Sequence, residues 1–154
     1  MSIEAIVIQA GEGKVLQMRG TEVAYKAEGE RPGGGPTFLE FSVASGFYTG
    51  DHVHSRIEEI FYVVEGEFRV RAGDRIIHAK PGDFILVPPG VPHGYGTPDL
   101  GPGKMLVLVS PAGVHDHYFE ELAELLAKPG PPDVQAIAEL RQRYDTEQVS
   151  PISF

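Results

Sequence analysis

The sequence predicts an all-β domain, a barrel or sandwich of short strands, followed by a short pair of C-terminal helices. Its 19 Gly and 13 Pro residues sit mostly between short apolar runs rather than in one tract, and turns of that kind separate strands, not the helices of a bundle. From Glu58 to Ser110 turn signals recur every eight to twelve residues, as a compact β-barrel requires. Beyond Ser110 the apolar residues recur at three and four, which marks helix. A chain of 154 residues, 42% apolar and 23% charged, suits a single domain with a real core. The barrel is expected over about residues 1–112 and the helical extension over about 113–154, packed on it.

Taken in order, the first strands are expected over Ile3–Gln9, Lys14–Met18, Glu22–Lys26 and Thr37–Ser45. Between the last two, Glu28 to Pro36 is too rich in Gly and Pro for regular structure and reads as a surface loop. Ile60–Glu65 and Glu67–Ala72 follow, joined through Gly66. Arg75–Ala79 comes after a Gly73-Asp74 turn. Asp83–Val87, His93–Thr97 and Lys104–Ser110 complete the set. Phe119, Leu122, Ala123 and Leu126, with Glu120, Glu121 and Glu124 between them, predict an amphipathic helix over His117–Ala127. Pro129–Pro132 stops it. Asp133 is placed to cap a second helix from Val134 to about Tyr144, with Ile137, Leu140 and Tyr144 along one face.

Composition excludes several functions. A formal charge of −9 and scattered Arg56, Arg69, Arg71 and Arg75 give no basic stripe for a nucleic-acid backbone. No apolar run is long enough for a membrane span, and Met1-Ser2-Ile3-Glu4 lacks a basic leader, so a cytoplasmic protein is expected. With no cysteine, disulfides and thiolate metal sites are excluded.

The chemistry concentrates in four residues. His52 and His54 are two apart, so on a strand both project from one face. Glu59 shares a strand face with Phe61 and Val63, where an unpaired charge is costly. His93 opens a later strand. Three imidazoles and a carboxylate suit one divalent Fe, Mn, Co, Ni, Cu or Zn ion. His78, His115 and His117 read as surface or solvated groups, and Asp51 and Glu58 as surface charges on the opposite strand phase. Few basic residues stand near the motif, which argues against an anionic substrate.

Gly46, His52-Val53-His54, Glu59 and Gly66 have the spacing of the first cupin motif; Gly82, Pro88-Pro89-Gly90 and His93 have that of the second. The stretch from Gly46 to His93 therefore resembles the cupin superfamily. That resemblance implies a double-stranded β-helix, the jelly-roll barrel, with the metal ligands pointing into its bore. Thr97 stands where the second motif usually has Asn, a position outside the ligand set. The whole layout, one barrel and then an acidic-apolar helix and a second short helix, resembles the quercetin 2,3-dioxygenase-like monocupins. This implies an oxidoreductase that cleaves a flavonol, or a similar enolisable aromatic hydroxy-ketone, with dioxygen and loss of carbon monoxide. Glu59 would act as general base, and Phe41, Tyr48, Phe61 and Tyr95 would contact the substrate. A non-catalytic ligand-binding module and a non-oxidative isomerase or lyase are the alternatives. The resemblance also implies a homodimer through N-terminal strands, for which the Ile6-Val7-Ile8 run is available.

Overall fold

Short alternating segments build two antiparallel sheets in the computed structural model, which describes residues 4–151. The strands are β1 (Lys14–Met18), β2 (Thr21–Ala27), β3 (Thr37–Val43), β4 (His52–Val53), β5 (Glu58–Glu65) and β6 (Phe68–Ala72). They continue as β7 (Arg75–Ala79), β8 (Phe84–Val87), β9 (His93–Gly96) and β10 (Gly103–Ser110). Helices α1 (Tyr118–Leu126) and α2 (Val134–Arg143) follow, and a last strand β11 (Glu147–Gln148) returns to the barrel. One sheet has the order β1-β2-β3-β10-β5-β8 and the other β11-β4-β9-β6-β7. This is the jelly-roll barrel with a C-terminal helix pair that the turn pattern and motif spacing predict.

The strands place their apolar residues by simple alternation. Leu39, Phe41 and Val43 of β3, Phe61 and Val63 of β5, and Met105, Val107 and Val109 of β10 are all buried, their neighbours less so. They meet Phe68 and Val70 of β6 and Tyr95 of β9 from the other sheet. Gly66, at φ +71°, makes the β5–β6 turn, and a β-carbon there would stand 2.4 Å from the Pro102 carbonyl oxygen.

Helix α1 lays Phe119, Leu122 and Leu126 on the core, packs against β1, and carries Glu120 and Glu121 at its positive N-terminal end. Arg19, in the β1–β2 turn, caps its other end: Nε donates to the Leu126 carbonyl at 3.1 Å, and Nη2 to those of Lys128 and Gly130 at 3.0 and 2.8 Å. Asp133 caps α2, its carboxylate accepting from the Ala136 amide at 3.0 Å. No helix among the described residues is long and apolar enough to cross a membrane.

Two expectations fail locally. The strand over Ile3–Gln9 does not form: Ile3 lies outside the described residues, and 4–9 carry no regular structure. Ile6 and Val7 are exposed there; an apolar run becomes a strand only when a ladder partner takes its amides, and none of the described strands does so. Strand β11 has no apolar pattern and is absent from the sequence reading. It exists because Glu147 and Gln148 pair with Val53 and His52 on β4.

Candidate metal centre and cavity

The two sheets bring the four predicted donors together. His52 on β4 stands directly opposite His93 on β9, and His54, two residues on, turns to the same side. Glu59 approaches from β5 in the facing sheet. One ligand atom from each of the four lies within 4.8 Å of all the others. The ring centroids of His52 and His93 are 4.4 Å apart, those of His52 and His54 5.0 Å, and those of His54 and His93 5.1 Å. Oε2 of Glu59 is 2.7 Å from Nε2 of His93 and 3.3 Å from Nε2 of His54.

Backbone carbonyls orient the three rings. Nδ1 of His52 meets the Gly50 oxygen at 3.1 Å, that of His54 the Asp145 oxygen at 2.8 Å, and that of His93 the Val91 oxygen at 2.9 Å. A carbonyl only accepts, so the proton sits on Nδ1 and the Nε2 lone pair is left for the centre. Burial opposes ionisation of Glu59, yet the adjacent imidazoles of His54 and His93 outweigh it and hold the carboxyl well below its ordinary range. Burial, together with the nearby His93, pushes His52 well below the usual imidazole value. For His54 burial acts the same way, but the adjacent Glu59 carboxylate prevails and raises it. Three close imidazoles and one ionised carboxylate, with no thiolate, fit a divalent transition metal.

A largely apolar cavity of about 60 Å³ opens on this centre. Phe41, Tyr95, Phe119 and Leu122 form much of its wall, and His52, His54 and Glu59 reach it from the metal side. Of the other aromatic residues expected near the substrate, Phe61 lies outside the lining. It sits in the core 6.2 Å from the His93 ring and 5.6 Å from that of Tyr95. Tyr48 also lies off the wall and donates its hydroxyl to Asp51. Thr97 is fully buried; its hydroxyl donates to the Ala44 carbonyl at 2.5 Å and accepts from the Phe47 amide at 3.2 Å. It ties the turn before β4 to the end of β9.

Three readings of the sequence need correction. Asp51 is not a surface charge: it is buried, accepts from Arg71 Nη1 at 2.8 Å, and is covered by the C-terminal stretch, whose Val149 amide donates to its carbonyl. Glu58, by contrast, is half-exposed. His115 is not solvated but buried beside Tyr118, ring centroids 4.3 Å apart, and burial lowers it to about 3. The third correction is Arg141. The site does have a basic neighbour, brought in by α2 from outside the motif, and it is buried on the cavity wall. Its signal was in the sequence: Ile137, Leu140, Arg141 and Tyr144 fall on one helical stripe, where an arginine is out of place unless it is used.

The family model for the cupin domain matches residues 39–109, the span that contains all four donors. Over that span, just under half of the chain, the sequence resembles cupins. An RmlC-like cupin from Shewanella frigidimarina is similar at 26% identity and TM-score 0.60, over 72% of this chain and 94% of that one. A predicted oxalate decarboxylase from Thermotoga maritima gives 21% identity and TM-score 0.59, over 67% of this chain and 96% of the other. A Streptomyces nucleoside dehydratase gives 22% identity and TM-score 0.56, over 71% and 84%. The last two likenesses bear on the fold alone. No curated protein matches the sequence. Helix α2, and Arg141 with it, lies outside the cupin match.

Proposed function

We propose that this protein is a metal-dependent dioxygenase acting on a small enolisable hydroxy-ketone. The observation that carries the reading is the convergence of three imidazoles and one ionised carboxylate at the edge of a largely apolar cavity, which His52, His54 and Glu59 reach. His52, His54, Glu59 and His93 would hold the ion. A divalent metal bound there supplies open coordination positions and a positive charge that makes a substrate hydroxyl more acidic. Glu59 is ionised, as an acceptor of that proton must be. Phe41, Phe119 and Leu122 keep water from the reacting carbons. Both atoms of dioxygen then enter the cleaved products.

Size revises the substrate from the sequence expectation. An apolar cavity of roughly 150 Å³ accepts one benzene ring. At about 60 Å³ this one is small for the three rings of a flavonol, which favours an acyclic substrate.

The test is oxygen uptake by protein loaded in turn with Fe(II), Mn(II), Co(II), Ni(II) and Cu(II), given flavonols and acyclic hydroxy-ketones. Uptake that requires one metal, matches substrate loss and disappears in His52→Ala supports the reading. Product formed without oxygen replaces it with an isomerase or lyase. Full turnover by Glu59→Gln removes the base role.

A further inference from the structure

Three polar groups in the cavity wall have no role at the metal centre. Arg141 is 5% exposed. Its Nε donates to the Tyr118 hydroxyl at 3.1 Å, Nη1 to the Gln148 side-chain oxygen, and Nη2 to the Thr49 carbonyl at a long 3.5 Å. All three acceptors are neutral. Among the described residues no carboxylate comes within ion-pair distance of it, although surface arginines such as Arg143 have such partners. A guanidinium has five N–H donors, so this one keeps capacity after its three contacts are made. Burying a cation without a counter-charge is strongly unfavourable, and hydrogen bonds to neutral oxygens only reduce that penalty.

The other two groups are His115 and Thr21. Nδ1 of His115 and Oγ1 of Thr21 are the buried side-chain polar atoms without a hydrogen-bond partner among the described residues, and both residues line this one cavity. Buried polar groups are rarely left unpaired. The two unpaired atoms mark this wall as polar, and the unneutralised guanidinium makes a negatively charged occupant the one that fits it. Glu59 does not supply that charge, because its carboxylate faces the imidazoles of His54 and His93.

We propose that the cavity binds a small acyclic carboxylic acid whose carboxylate pairs with Arg141 and whose remaining oxygens reach His115 and the metal side of the cavity. This rests on the cavity and the His/Glu centre forming one site, and it narrows the hydroxy-ketone of that site to a hydroxy-keto acid. A planar guanidinium matches a carboxylate in two parallel hydrogen bonds, which a lysine or a neutral amide cannot reproduce. Charge counting agrees. A divalent ion with Glu59 as its single anionic ligand keeps one positive charge, and Arg141 adds a second. The apolar remainder of the wall favours a short carbon chain over an inorganic anion.

The experiment is calorimetric titration of the full chain, metal-free and zinc-loaded, with two matched pairs: hydroxypyruvate against dihydroxyacetone, and lactate against lactamide. Zinc has no redox chemistry, so binding is read without turnover. The expected result is that each acid binds at least about tenfold more tightly than its neutral partner, the effect of one charged pair. Arg141→Gln should abolish the preference, and Arg141→Lys should retain only part of it. Acid and neutral partner binding equally to the native chain, or neither binding at millimolar concentration, overturns the proposal without needing any variant. A preference that survives in Arg141→Gln, shown folded by circular dichroism, overturns it too. The two readings fail separately. Acid binding that depends on Arg141 without oxygen uptake leaves this proposal standing and removes the dioxygenase; oxygen uptake with neutral substrates alone does the reverse.

Discussion

Asp145 controls both the stability of the C-terminal return and the aim of one metal ligand, so its substitution separates the two. The residue follows α2 in the left-handed region at φ +53°. Its carboxylate accepts from the amides of Ser55 and Arg56, at 3.1 and 2.8 Å, and from the Ser55 hydroxyl. Its carbonyl takes the Nδ1 proton of His54 at 2.8 Å. Hydrogen bonds to a charged acceptor are each worth about 1.5–3 kcal/mol. Here they share one half-exposed carboxylate and do not add, so losing all of them costs about 2 kcal/mol. Alanine in the left-handed region adds about 1 kcal/mol that Asp, Asn and Gly largely avoid. Asp145→Ala is therefore expected to lose about 3 kcal/mol, a fall of roughly 6–12 °C in Tm. Asp145→Gly should lose about 2 kcal/mol, and Asp145→Asn, which keeps one acceptor oxygen, about 1 kcal/mol. Thermal melts of metal-free protein give these values. Competition titration with zinc should then show a weaker site, because the loop that presents the Asp145 carbonyl to His54 is no longer held to Ser55 and Arg56. The upper limit is about 10- to 100-fold, the effect of losing an outer-sphere partner of a ligating imidazole altogether. Asp145→Gly melting with the native chain, or binding zinc as tightly, would refute the argument.

Three further outcomes are expected. Saturating zinc or cobalt, at about a thousandfold above Kd, should stabilise the native chain by roughly 4 kcal/mol; a melting curve for His93→Ala that still shifts with metal would place the ion elsewhere. Gly96→Ala should be destabilised by about 3 kcal/mol or more, because the new β-carbon would stand 2.2 Å from the Phe47 carbonyl oxygen; a near-native denaturant midpoint would contradict that packing. At alkaline pH, burial and the bond to Asp51 raise Tyr48 to about 12, and the bond to Glu121, with burial, raises Tyr144 to about 12. The fold prefers both phenols neutral, so the stability they contribute is complete below pH of about 10, where an unfolded tyrosine titrates, and is lost as pH rises through their folded values. Spectrophotometric titration should show them ionising late or together with unfolding. Ionisation of every tyrosine near pH 10, with the near-ultraviolet circular dichroism intact, would count against those contacts.

Local geometry was legible in the sequence because it is written locally. Alternation sets which residues of β3, β5 and β10 face inward, and turns at Gly66, Gly82 and Gly90 fix where strands end. His52, His54, Glu59 and His93 could be recognised because a strand's period of two, with fixed turns, leaves few ways to arrange that spacing. Asp133 could be read as a cap for the same reason: its partner is three residues away. The residues that reading missed depend on neighbours far along the chain. Strand β11 exists only because β4 offers it a ladder. Asp51 is buried because Tyr48, Arg71 and the C-terminal stretch come together over it, and His115 because rings that include Tyr118 and Phe119 close around it. Arg141 carries its signal in the helical period of α2, but which cavity that face meets is decided when α2 packs against α1. By itself the sequence determined the barrel and the metal donors, whose constraints act within a strand or across a turn. Tertiary packing decided the size of the cavity and the charge of its wall, because a side chain's burial and partners are properties of the assembled fold and not of its place in the chain.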